Sequence, residues 1–518
     1  MQSAANELNR TTIRRPKYSL MRSVITKTTG HNKTPAVRLK SPKTPSFFQP
    51  NKSFSEKILT PMNSANKACV KKTNPKTKNR MILGKGQDLT EGVVIVKKAG
   101  TPAPYPVKAP RSLCKITPLA MESFVVYNPV RLKFGEGVTD SLAADLIDQG
   151  ISKVLVMVGK GSVRRSGLLD RLLEQLQGMG LETEVFEGIR SNPVYEDADR
   201  AVAQAKSMGA QALLAVGGGS VIDTAKAVAA GYYTEHSVWD FYAGGAPKPT
   251  RALPLFVVLT LAATGTEMNR ATVLQNNATG QKRGWGNELL FPKISYLDPL
   301  LTQTVPRDYT AYGVADLMAH ALEQYFSPDE SPLSDAFALQ VLRLAMIYGA
   351  RAVYNGQDTE ARSQVLWLST VALNGTLIAG KKRGDFGVHA VEHVLSARYD
   401  VAHGAGLSVV YPAWIKHFAP RIRAKLEALE DACSGWRATH PDPQIRTAPA
   451  VVGNPDLPFV GMLEDFFEQI GTPTRLSQMG IPAEECEPLV ADLHRHNATG
   501  NYFEMKEPDW KRLAQLMY

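Results

Sequence analysis

Cysteine is scarce in this chain: Cys69, Cys114, Cys433 and Cys486 are the whole supply in 518 residues. They are scattered, with no CxxC pair, which excludes a disulfide framework and a cysteine-built zinc site. A reducing, cytoplasmic setting is the expectation. Long apolar runs are missing too, and none reaches the roughly 18 residues that a membrane span needs. The GxGxxG dinucleotide fingerprint is absent. Acid is almost absent from the first 120 residues, which hold 24 of the 60 Lys and Arg but only Glu7, Glu56, Asp88 and Glu91. The formal charge of +11 therefore divides into +20 in that segment and −9 beyond it. The mildly acidic remainder argues against nucleic-acid binding by the chain as a whole.

Residues 1–120 are rich in Lys, Ser, Thr, Pro and Asn, as in TPAVRLKSPKTPSFFQPNK. Such a composition buries too little apolar surface to offset chain entropy, so a disordered basic tail is expected. Three roles stay open for it. It could serve as an organellar import segment, as an arm for acidic partners such as nucleic acid or a membrane surface, or be sequence ahead of a start at Met121.

From Met121 the texture changes. FVVYNPVRLKFGEG reads as a strand pair with a turn, and KVLVMVG as a buried parallel strand. SGLLDRLLEQLQGMG, VYEDADRAVAQAKSMG and SVIDTAKAVAAG read as helices between the strands TEVFEGI and ALLAVGGG. LPLFVVLTLAATGTE and ISYLDP add two more strands. This alternation predicts an α/β nucleotide-binding domain with a mainly parallel sheet over residues 121–303. Beyond it, DYTAYGVADLMAHALEQYF, LSDAFALQVLRLAMIYGARAVYN, ARSQVLWLSTVALNGTLIAG and FGVHAVEHVLSARY are helical. An all-α, metal-binding domain is expected over residues 304–518.

Gly217, Gly218, Gly219 and Ser220 lie between an apolar strand and a helix. Glycines there allow close backbone approach and positive φ, and the helix N-terminus favours a pyrophosphate. A plain strand-to-helix turn has the same appearance. In the loop LTLAATGTEMN, Thr264, Gly265 and Thr266 offer hydroxyls and a flexible backbone to the same ligand. The turn VGKGSVRRSG carries Lys160, Arg164 and Arg165 and no acid. Cations there accept a ribose 2′-phosphate, so NADPH is favoured, with NADH possible.

Asp316 and His320 are four apart on one helix face, and His389 and His393 repeat that spacing. His403 follows after a short connection. These are four of the ten histidines. One carboxylate with several imidazoles and no thiolate suits Fe²⁺ or Zn²⁺. A competing motif is embedded here. His389-Ala-Val-Glu-His393 is formally HxxEH, the signature of one zinc protease class with Glu392 as base.

In order along the chain stand GGGSVIDTAKAVAA, ATGTE, the DP of SYLDPLLTQTVP, GVADLMAHALEQY and HAVEHVLSARYDVAHGAG. From Met121 to the end, the chain resembles the iron-containing (group III) alcohol dehydrogenase family. GKGSVRRSGLLD, LTLAATGTEMN and VLWLSTVALNG are most similar to its NADPH-dependent butanol dehydrogenase and aldehyde reductase branch. The resemblance implies an oxidoreductase acting on a small aldehyde or primary alcohol, and a homodimer or larger homo-oligomer. It implies metal ligation by Asp316, His320, His389 and His403, with His393 near the substrate and outside the ligand set. It implies cofactor contacts at Gly218, Gly219, Ser220, Asp223, Thr264 and Lys282. Lys160 stands where NAD-preferring members carry Asp. A dehydroquinate-synthase-like lyase is the alternative of the same fold. It would need a phosphate-binding basic cluster, for which Lys381, Lys382 and Arg383 are the candidates.

Overall fold

A computed structural model describes residues 121–447 and 455–518. The tail expected over residues 1–120 lies outside them. Eight strands form: β1 (Arg131–Phe134), β2 (Lys153–Gly159), β3 (Glu182–Ile189), β4 (Ala212–Gly217), β5 (Leu255–Leu259), β6 (Ala271–Asn276), β7 (Gln281–Gly286) and β8 (Ile294–Leu297). Six make one parallel sheet in the order β1-β8-β5-β4-β2-β3, while β6 and β7 pair as a separate antiparallel ribbon.

The runs KVLVMVG, ALLAVG and LFVVL lack polar alternation because both faces of the sheet are covered. Successive residues of a strand point to opposite faces, and the packing divides accordingly. Four helices, α1 (Leu142–Asp148), α2 (Leu168–Gly178), α3 (Tyr195–Met208) and α4 (Gly219–Gly231), fall between the strands as the sequence pattern predicts. Leu155, Leu213 and Val257 pack with α3 and α4, and Val156, Leu214 and Phe256 with α1 and α2. Val158 is in register with Val216, and Gly217 with Leu259. The loops after β2, β4 and β5 therefore leave the same carboxyl edge of the sheet, where ligands of such folds bind.

The remaining elements are helical: α5 (Arg307–Tyr325), α6 (Pro332–Tyr354), α7 (Thr359–Leu373), α8 (Gly387–Tyr399), α9 (His403–Cys433), α10 (Pro458–Ile470), α11 (Cys486–Arg495) and α12 (Glu507–Met517), besides short turns. They share one apolar core. Among the described residues only α6 is long and apolar enough to cross a membrane by length and composition. Its Leu342, Ala345 and Met346 are buried in that core.

One expectation needs correction. FVVYNPVRLKFGEG does not form a strand pair: residues 121–130 are unpaired, and only Arg131–Phe134 is a strand, bound to β8. Val125 and Val126 are 90% and 73% exposed, so no buried face holds that stretch in register, and Pro129 offers no N–H. His403 follows a short connection, residues 400–402, as expected, and opens α9, a 31-residue helix with Pro412 and Pro420 inside and a kink at Ile422. The prolines mask this helix in the sequence.

Candidate active site

The turn from β4 into α4 is shaped by contact rather than by unusual torsions. Gly217, Gly218 and Gly219 have no positive φ, contrary to one of the two reasons for expecting them. A Cβ on Gly219 would lie 2.6 Å from Thr264 Cγ2, and one on Gly217 2.6 Å from Val221 Cγ2. The glycines thus let the loop after β5 close onto the turn. No side chain caps α4; Val221 N donates to Gly218 O, which leaves the Gly219 and Ser220 N–H groups to an anion. The Ser220 hydroxyl donates to the Ser191 carbonyl.

Asp223 and Thr266 are engaged within the protein. Thr266 Oγ1 donates to Asp223 Oδ1 at 2.6 Å, and the other carboxylate oxygen accepts from Val273 N at 2.8 Å. Lys226, fully buried, donates to Thr266 O and Oγ1, Asn269 O and Oδ1, and Ala271 O, all within 3.1 Å. These groups brace the loop after β5. The helical half braces it as well, since Thr370 of α7 donates to Glu267 at 2.5 Å. The structure brings Thr264 against Gly219, and the Lys282 charge of β7 acts on Asp223 of the same helix. The Lys282 ammonium donates to Ser396 Oγ at 2.8 Å and Asn192 Oδ1 at 3.2 Å. Lys160 is exposed at the mouth of the turn after β2. The Arg165 guanidinium lies over Gly161, the next residue, while Arg164 is paired with Glu187 and Asp170.

Asp316 and His320, one turn apart on α5, meet His389 of α8 and His403 at the start of α9. Asp316 Oδ1 lies 3.3 Å from His320 Nδ1, and 3.8 Å from Nε2 of both His389 and His403. Three of these atoms, Asp316 Oδ1, His320 Nδ1 and His389 Nε2, are buried without a hydrogen-bond partner. Each such atom costs about 1–3 kcal/mol if left so. Three converging lone-pair donors on one carboxylate and two imidazoles fit a divalent cation. His403, a quarter exposed, marks the open side. Burial disfavours ionising Asp316, but the imidazoles of His320, His389 and His403 outweigh it and hold the carboxyl below the usual range. Burial pushes His320 down. It works the same way on His389, where the nearby carboxylates of Asp316 and Glu323 overcome it and raise the group.

His393 sits beside this set, its ring 5.6 Å from that of His403. Burial, with the Lys282 charge nearby, keeps it well below the ordinary imidazole range, hence neutral. The protease reading fails on Glu392. Its carboxylate is fully buried and accepts from His403 Nδ1, so it cannot serve as a base between His389 and His393. Nor do Lys381, Lys382 and Arg383 make a phosphate site. Lys381 is buried against Gln324 O and Asp335, and Lys382 pairs with Glu122.

Residues 129–299 match the sequence model for iron-containing alcohol dehydrogenases, and residues 310–517 the model for the C-terminal part of the Fe-containing alcohol dehydrogenase family. The chain belongs to the iron-containing alcohol dehydrogenase family. It is an NAD(P)-dependent oxidoreductase, and membership brings a nicotinamide nucleotide and a metal. A Bacillus subtilis protein described as a probable NADH-dependent butanol dehydrogenase 1 is 37% identical over 385 residues, or 74% of this chain and 96% of that one. The NADPH-dependent aldehyde reductase YqhD of Escherichia coli is 34% identical, across 73% and 95%. The solved NADH-dependent butanol dehydrogenase A of Thermotoga maritima superposes with a TM-score of 0.71 at 34% identity, covering 77% of this chain and 99% of that one.

The iron-containing dehydrogenase site has supports that the sequence reading missed. Glu323 Oε1 accepts from His389 N at 3.0 Å and lies 3.2 Å from His389 Nδ1, which orients that ring. A signal for it existed: Asp316, His320 and Glu323 fall at i, i+4 and i+7 of one helix face. Asn192 and Ser396, which hold Lys282, carry no comparable signal.

Proposed function

We propose that this dehydrogenase reduces small aldehydes with NADPH, using a divalent ion held by Asp316, His320, His389 and His403. The convergence of three partnerless buried donor atoms with His403 supports the metal assignment above all else. When bound, the ion supplies Lewis-acid polarisation of a carbonyl oxygen. Four protein donors leave no free corner on a tetrahedral ion, which favours Fe²⁺, whose coordination extends past four, over Zn²⁺. The uncapped start of α4, with Gly218, Gly219 and Ser220, holds the pyrophosphate, and Thr264 borders it. Lys160 and Arg165 accept the 2′-phosphate. The relatives carry names of both NADH and NADPH enzymes, so this preference rests on the loop itself. His393, neutral and beside His403, moves a proton at a ring nitrogen between the product oxygen and water.

The domains divide near residue 303, and the loops at the carboxyl edge of the sheet would hold the cofactor. The decisive experiment is His403→Ala. Metal content and aldehyde turnover are expected to fall together, read by elemental analysis and NADPH oxidation. Full turnover in that variant after chelator treatment would sink the assignment.

A further inference from the structure

Glu392 is not one of the four ligands, yet it is among the most enclosed charged groups of the helical half. Its Oε2 accepts from His403 Nδ1. Gly406 of α9 makes room for it, since a Cβ there would stand 2.9 Å from Oε1. Lys282 Nζ lies 3.8 Å from Oε2. That ammonium also donates to Ser396 Oγ at 2.8 Å, and the serine donates onward to the Glu392 main-chain oxygen at 3.1 Å. Asn192, the other acceptor of Lys282, donates to Asp400 Oδ1 at 2.8 Å. Lys282 and Asn192 belong to the nucleotide-binding half, whereas Glu392, Ser396, Asp400 and His403 belong to the helical half.

An imidazole that offers Nε2 to a cation must keep its proton on Nδ1, and a carboxylate there fixes both tautomer and ring rotation. His389 has Glu323 for this purpose. His403 has the greater need. It is the most exposed of the four and the first residue of its helix, with no preceding turn to pack against.

We propose that Glu392 is the positioning residue for His403, and that Lys282 and Ser396 fix Glu392, so metal retention depends on a contact reaching across from the nucleotide-binding half. This rests on the metal assignment above. Co²⁺ is the probe, with affinity read by competition against a chromophoric chelator and coordination by visible absorption. Glu392→Gln is expected to bind Co²⁺ about 10- to 100-fold more weakly, the range seen for such supporting groups. Its d–d bands are expected to change, while NADPH affinity, read by fluorescence titration, stays at the wild-type value. Lys282→Met is expected to weaken Co²⁺ binding in the same direction. Wild-type Co²⁺ affinity and spectrum in Glu392→Gln overturn the proposal. Should that variant fail to fold, Glu392→Asp keeps the charge but not the reach, and unchanged Co²⁺ binding there overturns it equally. A wild-type protein that binds no Co²⁺ brings down the metal assignment itself, a different failure from unaltered binding in the variant.

Discussion

Lys226 takes the role that a bound cation has elsewhere, presenting one ammonium to five oxygens of the segment Thr266–Ala271. Lys226→Met keeps the bulk and removes every donor. The abandoned acceptors then cost about 3 kcal/mol or more in total. A lower urea midpoint together with a raised KM for the nucleotide is the expected outcome. Lys160 is the opposite kind of residue, exposed, with a proposed role in ligand choice alone. Lys160→Asp places a repulsive charge where a 2′-phosphate would sit. The preference for NADPH over NADH should fall by about 10- to 100-fold, since hydrogen bonds to charged groups contribute roughly 1.5–3 kcal/mol. Equal kcat/KM ratios before and after would show that this loop does not read the phosphate. At this scale the sequence was most legible where chemistry is local. Asp316 and His320 declare themselves by spacing. Spacing alone does not choose between His393 and His403; the family resemblance makes that choice, and the packing of α8 on α9 sets the His403 ring 3.8 Å from Asp316 Oδ1.

Helix α5 is gripped on both sides without side chains intervening. A Cβ on Gly313 would stand 2.2 Å from Ala262 O in the loop after β5, and one on Gly404 2.1 Å from Tyr312 O. One helix thus touches the nucleotide loop and the start of α9 by backbone contact. Gly404→Ala cannot fit without moving α9, which carries His403 away from Asp316. Overpacking of this kind costs about 1–3 kcal/mol, and a displacement near 1 Å can cost on the order of 100-fold in turnover. The expected result is a folded protein with depressed metal content and kcat, measured by circular dichroism, elemental analysis and steady-state assay. A second element-scale device flanks α8, where Phe386 and Asp400 both hold left-handed φ, 57° and 51°. Such torsions in a bulky residue persist only where surrounding contacts enforce them. None of this shows in the sequence, because glycine crossings and strained caps depend on partners far along the chain. The ribbon of β6 and β7 escaped the reading for a similar reason: QKRGWG has little strand character of its own.

Across the whole molecule, the alternation of apolar strands with amphipathic helices was legible because each element carries its own period. The junction between the halves was not. It is made by Glu267 with Thr370 and by Lys282 with Ser396, pairs 103 and 114 residues apart. The metal is expected to act on stability at this scale. An ion bound only by the folded chain adds about 2.7 kcal/mol at a free concentration 100-fold above its Kd. Chelation should therefore lower the melting temperature, and re-addition of Fe²⁺ should restore it. A melting curve indifferent to chelator would contradict a resident ion at the four ligands.

Three of the four proposed ligands are nearly closed to solvent, at 4%, 7% and 9% side-chain exposure, while His403 stands at 25%. Departure of the ion is then a one-sided event, beginning with a single imidazole swinging away. Small, slender chelators should strip the enzyme faster than bulky ones of equal affinity, and nucleotide seated over that flank should slow both. The shelf life of the holoenzyme would be governed less by its overall fold stability than by how long one exposed ring stays in place.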